Sequence, residues 1–182
     1  ATRAIIINIA EPTTGDVPIC GMTLSVLSLA VDPTNSNTIY AGTSRSGVWK
    51  TTDNGVLWWN KSSGIIPNAS NAVTARALIA HPSDPLTLYA ATGYPGGIYK
   101  TTNGGDAWNL VEPPPSNPPD PSSVGNYFAL TIDPADPLRV YAGNAPYTSP
   151  NENVILTTDG GSVWNSVLNP NEPGCPSNDF YA

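Results

Sequence analysis

The chain has 182 residues, enough for one ordinary domain with a core of its own. Charged residues are 12% of it, about half the usual ~25%, and Pro (20) with Gly (16) fill roughly a fifth of the positions, so long solvated helices have little to be built from. A formal net charge of -7, with the seven Lys and Arg spread out, leaves no basic stripe to neutralise phosphates and excludes nucleic acid as a partner.

The first predicted element is the apolar run Ala4–Ala10, interrupted by Asn8 and too short to cross a bilayer or to serve as a signal core, so no membrane span is expected. Next come four short runs rich in β-branched and aromatic residues. Strand A is read over Leu24–Val31, B over Thr38–Thr43, C over Gly47–Thr52 and D over Val56–Asn60, with Asp-Pro and Asn-Gly steps supplying turns. The same order of runs returns over residues 73–111, and again over 126–168.

The return is close in wording. KTTDNGVLWWN (Lys50–Asn60) reappears as KTTNGGDAWNL (Lys100–Leu110) and as LTTDGGSVWNS (Leu156–Ser166), a period of roughly fifty residues that marks a propeller or related array. One four-stranded sheet cannot bury both faces alone and must stack against its neighbours. The predicted fold class is therefore an all-β propeller of four-stranded antiparallel blades, with three complete blades at about 24–60, 73–111 and 126–168. Each repeated phrase is expected to be the C to D hairpin. Gly55, Gly105 and Gly161 take the positive φ of a tight turn, the short side chains of Asp53, Asn103 and Asp159 hydrogen-bond the loop, and Trp58, Trp108 and Trp164 tie each hairpin to its blade.

The pattern T-x-[DN]-x-G-x-x-W, carried by Thr51, Thr101 and Thr157 with the residues just named, resembles the Asp box, or bacterial neuraminidase repeat. Sialidases, xyloglucan-cleaving endoglucanases, sortilin-type receptors and photosystem II assembly factors carry this box. The resemblance implies a β-propeller in which the box is a peripheral structural hairpin, and it is silent about activity. Asn103 departs from the Asp of the pattern, which argues against a metal ligand there; no cofactor and no metal are expected.

The two ends read as unfinished blades. Residues 1–10 align with Trp108–Val111 and resemble the D strand of a preceding blade, and 178–182 (NDFYA) align with Gly125–Ala129 as the start of a next A strand. Either the sequence is part of a longer chain, an expectation in keeping with a first residue that is Ala, or the terminal strands pair with other copies and the molecule assembles head to tail. Cys20 and Cys175 lie three blades apart in similar loops. Bonds to residues outside the sequence, bonds between subunits, or buried free thiols are the alternatives, and no Cys-x-x-Cys or His-rich cluster suggests zinc.

Function is expected on the rim that holds the B to C and D to A links, because these vary among the repeats while the other rim is nearly uniform. The B to C links grow from Ser44–Ser46 through Gly93–Gly97 to Asn144–Asn153, and the D to A links include Lys61–Ala72 and the proline-rich Glu112–Asn126. Arg45, Tyr94, Tyr147 and Glu152 are the candidate ligand-binding residues there. Asn60 and Asn68 head glycosylation-type sequons, NKS and NAS, in keeping with an extracellular or cell-surface protein. Catalysis by paired carboxylates is not enforced: Glu11, Glu112 and Glu172 recur before Pro as repeat punctuation, leaving Glu152 with Asp16 or Asp120. Arg3, Arg45, Arg76 and Arg139 sit at different phases, which disfavours a sialidase. His81 stands where Asp32 and Asp133 stand, as a turn residue. The expected function is a non-catalytic extracellular structural or interaction module with a protein partner or self-association, the alternative being part of a glycoside hydrolase or a glycan-binding module.

Overall fold

The computed structural model describes residues 25–93, 96–112, 126–144 and 154–168. Twelve strands make three antiparallel sheets of four. The first sheet runs β1 (Val26–Val31), β2 (Ile39–Thr43), β3 (Val48–Thr51), β4 (Trp59–Asn60). The second runs β5 (Ala75–Ala80), β6 (Leu88–Thr92), β7 (Gly97–Thr101), β8 (Asn109–Glu112), and the third β9 (Tyr127–Ile132), β10 (Val140–Asn144), β11 (Val154–Thr157), β12 (Asn165–Leu168). Strand β1 lies beside β5 and β5 beside β9, so the sheets stack as consecutive blades of a propeller. The expectations for residues 1–10 and 178–182, and those for Cys20, Cys175 and the proline-rich link, fall outside the described residues.

Alternate side chains of each blade face opposite neighbours, and two of the three buried apolar clusters among the described residues lie between blades, the third being Ala41, Trp49 and Trp58 within the first blade. Between the first and second, Ala30, Tyr40 and Val48 meet Ala75, Leu78, Leu88, Ala90, Tyr99 and Trp108. Between the second and third, Tyr89, Ala91 and Ile98 meet Tyr127, Val140, Ala142 and Ile155. The pairing of β1 with β2, β5 with β6 and β9 with β10 carries an irregularity at the same end each time, a bulge repeated with the blade.

The fourth strand starts later than its sequence suggests: β4 is Trp59–Asn60, and Val56–Trp58 belong to the hairpin. The reason is the hydrogen bonding of the repeated phrase. Thr51 Oγ1 donates to Asp53 Oδ1 (2.7 Å) and accepts from the Gly55 amide (2.9 Å), while Asp53 Oδ1 also accepts from the Leu57 amide (2.9 Å). These bonds curl Asp53–Leu57 away from the ladder. Thr101, Asn103, Gly105 and Ala107 repeat the arrangement, and so do Thr157, Asp159, Gly161 and Val163. Two successive residues hold positive φ in each hairpin, Asn54 and Gly55 (59° and 91°), Gly104 and Gly105 (69° and 90°), Gly160 and Gly161 (71° and 103°). An L side chain strains such a pair, which is why Asn or Gly occupies the first place and Gly the second.

The tryptophans do more than tie each hairpin to its own blade. Trp58 Nε1 donates to Gly55 O within its own hairpin (3.1 Å), but Trp108 Nε1 donates to Lys61 O of the preceding blade's link (2.7 Å), and Trp164 Nε1 has no acceptor among the described residues. Trp108 thus fastens one blade to another. A second tie recurs beside it: Tyr40 Oη and Lys50 Nζ both donate to Gly104 O (3.1 Å each), and Tyr89 Oη and Lys100 Nζ both donate to Gly160 O (2.8 and 2.7 Å). Each ammonium lies over the tyrosine ring of its own blade, 5.1 and 5.3 Å from the centroid. The carbonyl of the first positive-φ residue, which its own ladder cannot reach, is satisfied by the blade before it.

Asn103 fills the role of Asp53 with an uncharged amide oxygen, so the hairpin needs an acceptor there and no charge. The Leu57 amide and the Thr51 hydroxyl hold the Asp53 carboxyl below the usual range, and the Val163 amide and Thr157 hydroxyl do the same for Asp159. A depressed folded pKa gives stability that is present above the ordinary aspartate pKa and lost as pH falls through the folded value. Thermal melts should therefore show Asp53→Asn and Asp159→Asn near wild type at neutral pH and Asp53→Ala lower by a few degrees, with the Asn double variant losing less stability on acidification. At the alkaline end, burial first and the charges of Asp32 and Asp106 second push Tyr40 up to about 12, and burial with Asp159 does so for Tyr89. Both contributions are complete below the ordinary tyrosine value and disappear as pH rises through the folded one. Ultraviolet titration of phenolate should show a late-ionising fraction that Tyr40→Phe with Tyr89→Phe reduces, the remainder including Tyr99, which its own burial pushes up.

Candidate functional site

The turns of a blade divide between two rims as the strand order requires. On one rim the A to B and C to D turns join: the Asn54 amide donates to Asn37 O, Gly104 to Leu86 O and Gly160 to Leu138 O. Each A to B turn is pinned by its first residue. Asp32 Oδ1 accepts from the Thr34 and Asn35 amides, Asp133 Oδ1 from the Ala135 and Asp136 amides, and His81 Nδ1 from the Ser83 and Asp84 amides. His81 is a turn acceptor, its ring nitrogen doing what a carboxylate oxygen does elsewhere.

On the other rim the first B to C turn and the first D to A link close around a cleft of about 630 Å³. Its floor is backbone. The Gly47 amide donates to Val73 O (2.9 Å) and the Val73 amide to Arg45 O (3.0 Å), a short parallel bridge that sews the turn of one blade to the entry of the next. Thr74 Oγ1 adds a bond to Ser44 O (2.8 Å), and Thr43 Oγ1 closes the turn from within through Gly47 O and the Ser46 amide. The wall is the link itself, folded by Asn68: its Oδ1 accepts from the Ser70 and Ala72 amides, and Asn71 turns the chain at φ 57°. Such Asn-centred turns hold a loop without a core.

The link is less of a loop than its length suggests. Ile65 is buried between the first two blades, the Trp108 amide donates to Ser63 O (2.9 Å), and a Cβ on Gly64 would run into the Trp108 carbonyl. Lys61 pairs with Asp106 at 2.6 Å, an exposed bridge of small energetic worth that also keeps the Asp106 carboxyl below its usual range.

Three of the sequence-selected residues meet at this cleft: Arg45 on the turn, Asn60 at the end of β4 and Asn68 on the wall. Tyr94, Tyr147 and Glu152 lie outside the described residues. Arg45 is exposed and its guanidinium has no partner among the described residues. The side-chain amide of Asn60 is already spent, donating to Ser46 O (2.9 Å) while its oxygen accepts from the Ser62 amide. Asn68 uses only its side-chain oxygen, which leaves Nδ2 the freer of the two sequon nitrogens. Residues that sequence reasoning passed over, Ser62 and Asn71 among them, line the cleft as well; alternation along a strand says nothing about where an irregular link folds back.

Among the described residues no carboxylate or imidazole lines the cleft. Most of the described aspartates are engaged elsewhere: Asp32, Asp53, Asp133 and Asp159 with their own turns, Asp84 with Thr87 and the Leu86 amide, Asp106 with Lys61. Among the described residues no group of three His, Cys, Asp or Glu could hold a metal ion. The chemistry on offer is one guanidinium among neutral amides and hydroxyls, suited to holding carboxylates, backbone amides or sugar hydroxyls.

Comparison with solved structures agrees with the fold. The chain is similar to an ancestral GH74 enzyme (22% identity, TM-score 0.61, covering 78% of this chain and 18% of that one) and to the GH74 enzyme of Niastella koreensis (25%, 0.59, 79% and 22%). It is also similar to YCF48 bound to D1 peptide (14%, 0.54, 91% and 46%). The described residues form three four-stranded blades of a β-propeller. This chain spans less than half the length of each of these relatives. No protein-family model matches the sequence, and no curated protein does. No described helix is long and apolar enough to cross a membrane.

Because Gly64 combines φ 91° with backbone contact, Gly64→Ala should cost about 1–3 kcal/mol in a denaturant titration, as an overpacked, strained site does, whereas Ser63→Ala on the same link should be near neutral.

Proposed function

We propose that this chain is a non-catalytic interaction module of Asp-box type that works outside the cell and meets a polypeptide partner with the rim carrying the Arg45 cleft. The observation that carries the reading is the composition of that cleft, whose described lining offers an unpaired guanidinium and neutral hydrogen-bonding groups but no acid or base. Hydrolysis of a glycosidic bond needs two carboxylates flanking the scissile oxygen, and the carboxylates of the described hairpins are committed to their own turns or to Lys61. A partner with an exposed carboxylate beside extended backbone suits the cleft, because guanidinium binds carboxylate in a fork and the Asn and Ser side chains pair with peptide groups. YCF48, a neighbour in fold, has been solved with a peptide bound.

The second reading, a glycan-binding module or a piece of a glycoside hydrolase, is favoured by the two GH74 neighbours and by the hydroxyl-matching side chains of the cleft. Against it stands a described lining without an aromatic ring for a sugar to stack on. An extracellular setting is in keeping with the freer sequon nitrogen of Asn68.

Panning a displayed peptide library on the chain should return carboxylate-bearing binders whose affinity falls about tenfold in Arg45→Ala, with the melting temperature unchanged. Release of reducing sugar from xyloglucan by the purified chain, lost in Glu152→Gln, would replace this reading with the hydrolase.

A further inference from the structure

The Arg45 cleft carries one charge among neutral groups. The hydroxyls of Ser44, Ser46 and Ser70 and the side-chain amide of Asn71 line it without a partner among the described residues. Together with the Asn68 nitrogen they offer donors and acceptors matched to the N–H and C=O of an extended backbone and to uncharged polar side chains. Only Arg45 answers a carboxylate there, and it presents a fork for one.

The other described cations are held elsewhere. Lys61 is paired with Asp106 at 2.6 Å. Lys50 and Lys100 donate to the hairpin carbonyls of Gly104 and Gly160. Arg139 donates to Tyr141 Oη (3.1 Å). Arg76 lies over the Phe128 ring, 4.2 Å from its centroid, with Nε buried beside Gly93. The acids are placed oppositely. The described aspartates, Asp32, Asp53, Asp84, Asp106, Asp133, Asp136 and Asp159, all stand in A to B or C to D turns, on the rim away from the cleft. An anionic group is repelled from that rim and meets its counter-charge on this one.

We infer that the cleft selects a polypeptide segment bearing a single carboxylate within an otherwise neutral polar sequence, and rejects an acidic run. The selectivity rests on the cleft being a polypeptide site, as proposed above, and adds the charge pattern of the partner. A second carboxylate beside the first gives up water to neutral hydroxyls and amides, with no cation among the described cleft residues to replace it. The net charge of -7 opposes it at longer range. That longer-range part is screened over about 8 Å at physiological ionic strength, so the discrimination sharpens as salt is lowered.

Fluorescence anisotropy of labelled peptides on the whole chain tests this. The probes are end-blocked peptides of Ser, Thr and Asn that carry at the centre Gln, one Glu or a run of Glu. The single-Glu peptide should bind about tenfold tighter than the Gln peptide; Arg45→Ala should erase that difference and Arg76→Ala should keep it. The Glu-run peptide should bind no tighter than the single-Glu peptide at physiological salt, and more weakly at low salt. A Glu run that binds tighter than the single Glu, or a preference lost in Arg76→Ala, overturns the inference and leaves the polypeptide reading standing. Failure of all the peptides to bind overturns both.

Discussion

A four-stranded sheet with apolar side chains on both faces has no stable place in water except between two others, and the rest of this structure follows from that constraint. The two larger clusters are therefore interfaces between blades, and what fastens one blade to the next determines the fold. Two ties recur at each described interface: the packing of side chains such as Tyr40 and Val48 against Leu78 and Tyr99, and the capture of a hairpin carbonyl by a tyrosine and a lysine from the blade before. The first is nondirectional and supplies the greater part of the burial. The second is directional and sets the register in which the blades stack.

The hairpin makes that capture possible. Its two positive-φ residues turn a carbonyl outward where the blade's own ladder cannot reach it, and the Thr-Asp or Thr-Asn pair holds the turn while this happens. One side chain thus serves its own loop so that a main-chain oxygen can serve a neighbour. The motif is a joint: Oδ1 of Asp53 and of Asp159 is taken up by amides and a hydroxyl of its own hairpin. Chemical variety in the sequence falls on the opposite rim, where the B to C and D to A links differ among the repeats. There the first link still contributes Ile65 to the core, so the Arg45 cleft stands on a braced wall.

Much of this was legible in the sequence because it is periodic. The tryptophan, the glycine and the threonine recur at fixed offsets, and strand alternation follows from the pleat, so the blade order and the hairpin position could be read from Lys50–Asn60 and its two echoes. The division into rims was legible too, since it follows from antiparallel order alone. The late start of β4 was not, because Val56–Trp58 has the composition of a strand and is pulled out of the ladder by the Thr51 and Asp53 hydrogen bonds of the hairpin.

By itself the sequence determined the repeated unit, through local rules that depend on residues a few positions apart: turn conformations, alternation, and the acceptor at Asp53, Asn103 and Asp159. Only the tertiary structure decided which groups meet across blades. That Trp108 reaches Lys61, that Tyr40 reaches Gly104, and that Arg45, Asn60 and Asn68 share one cleft are outcomes of how sheets stack and links fold back. Pairings of that kind join residues tens of positions apart, and a one-dimensional period carries no information about the distance between them.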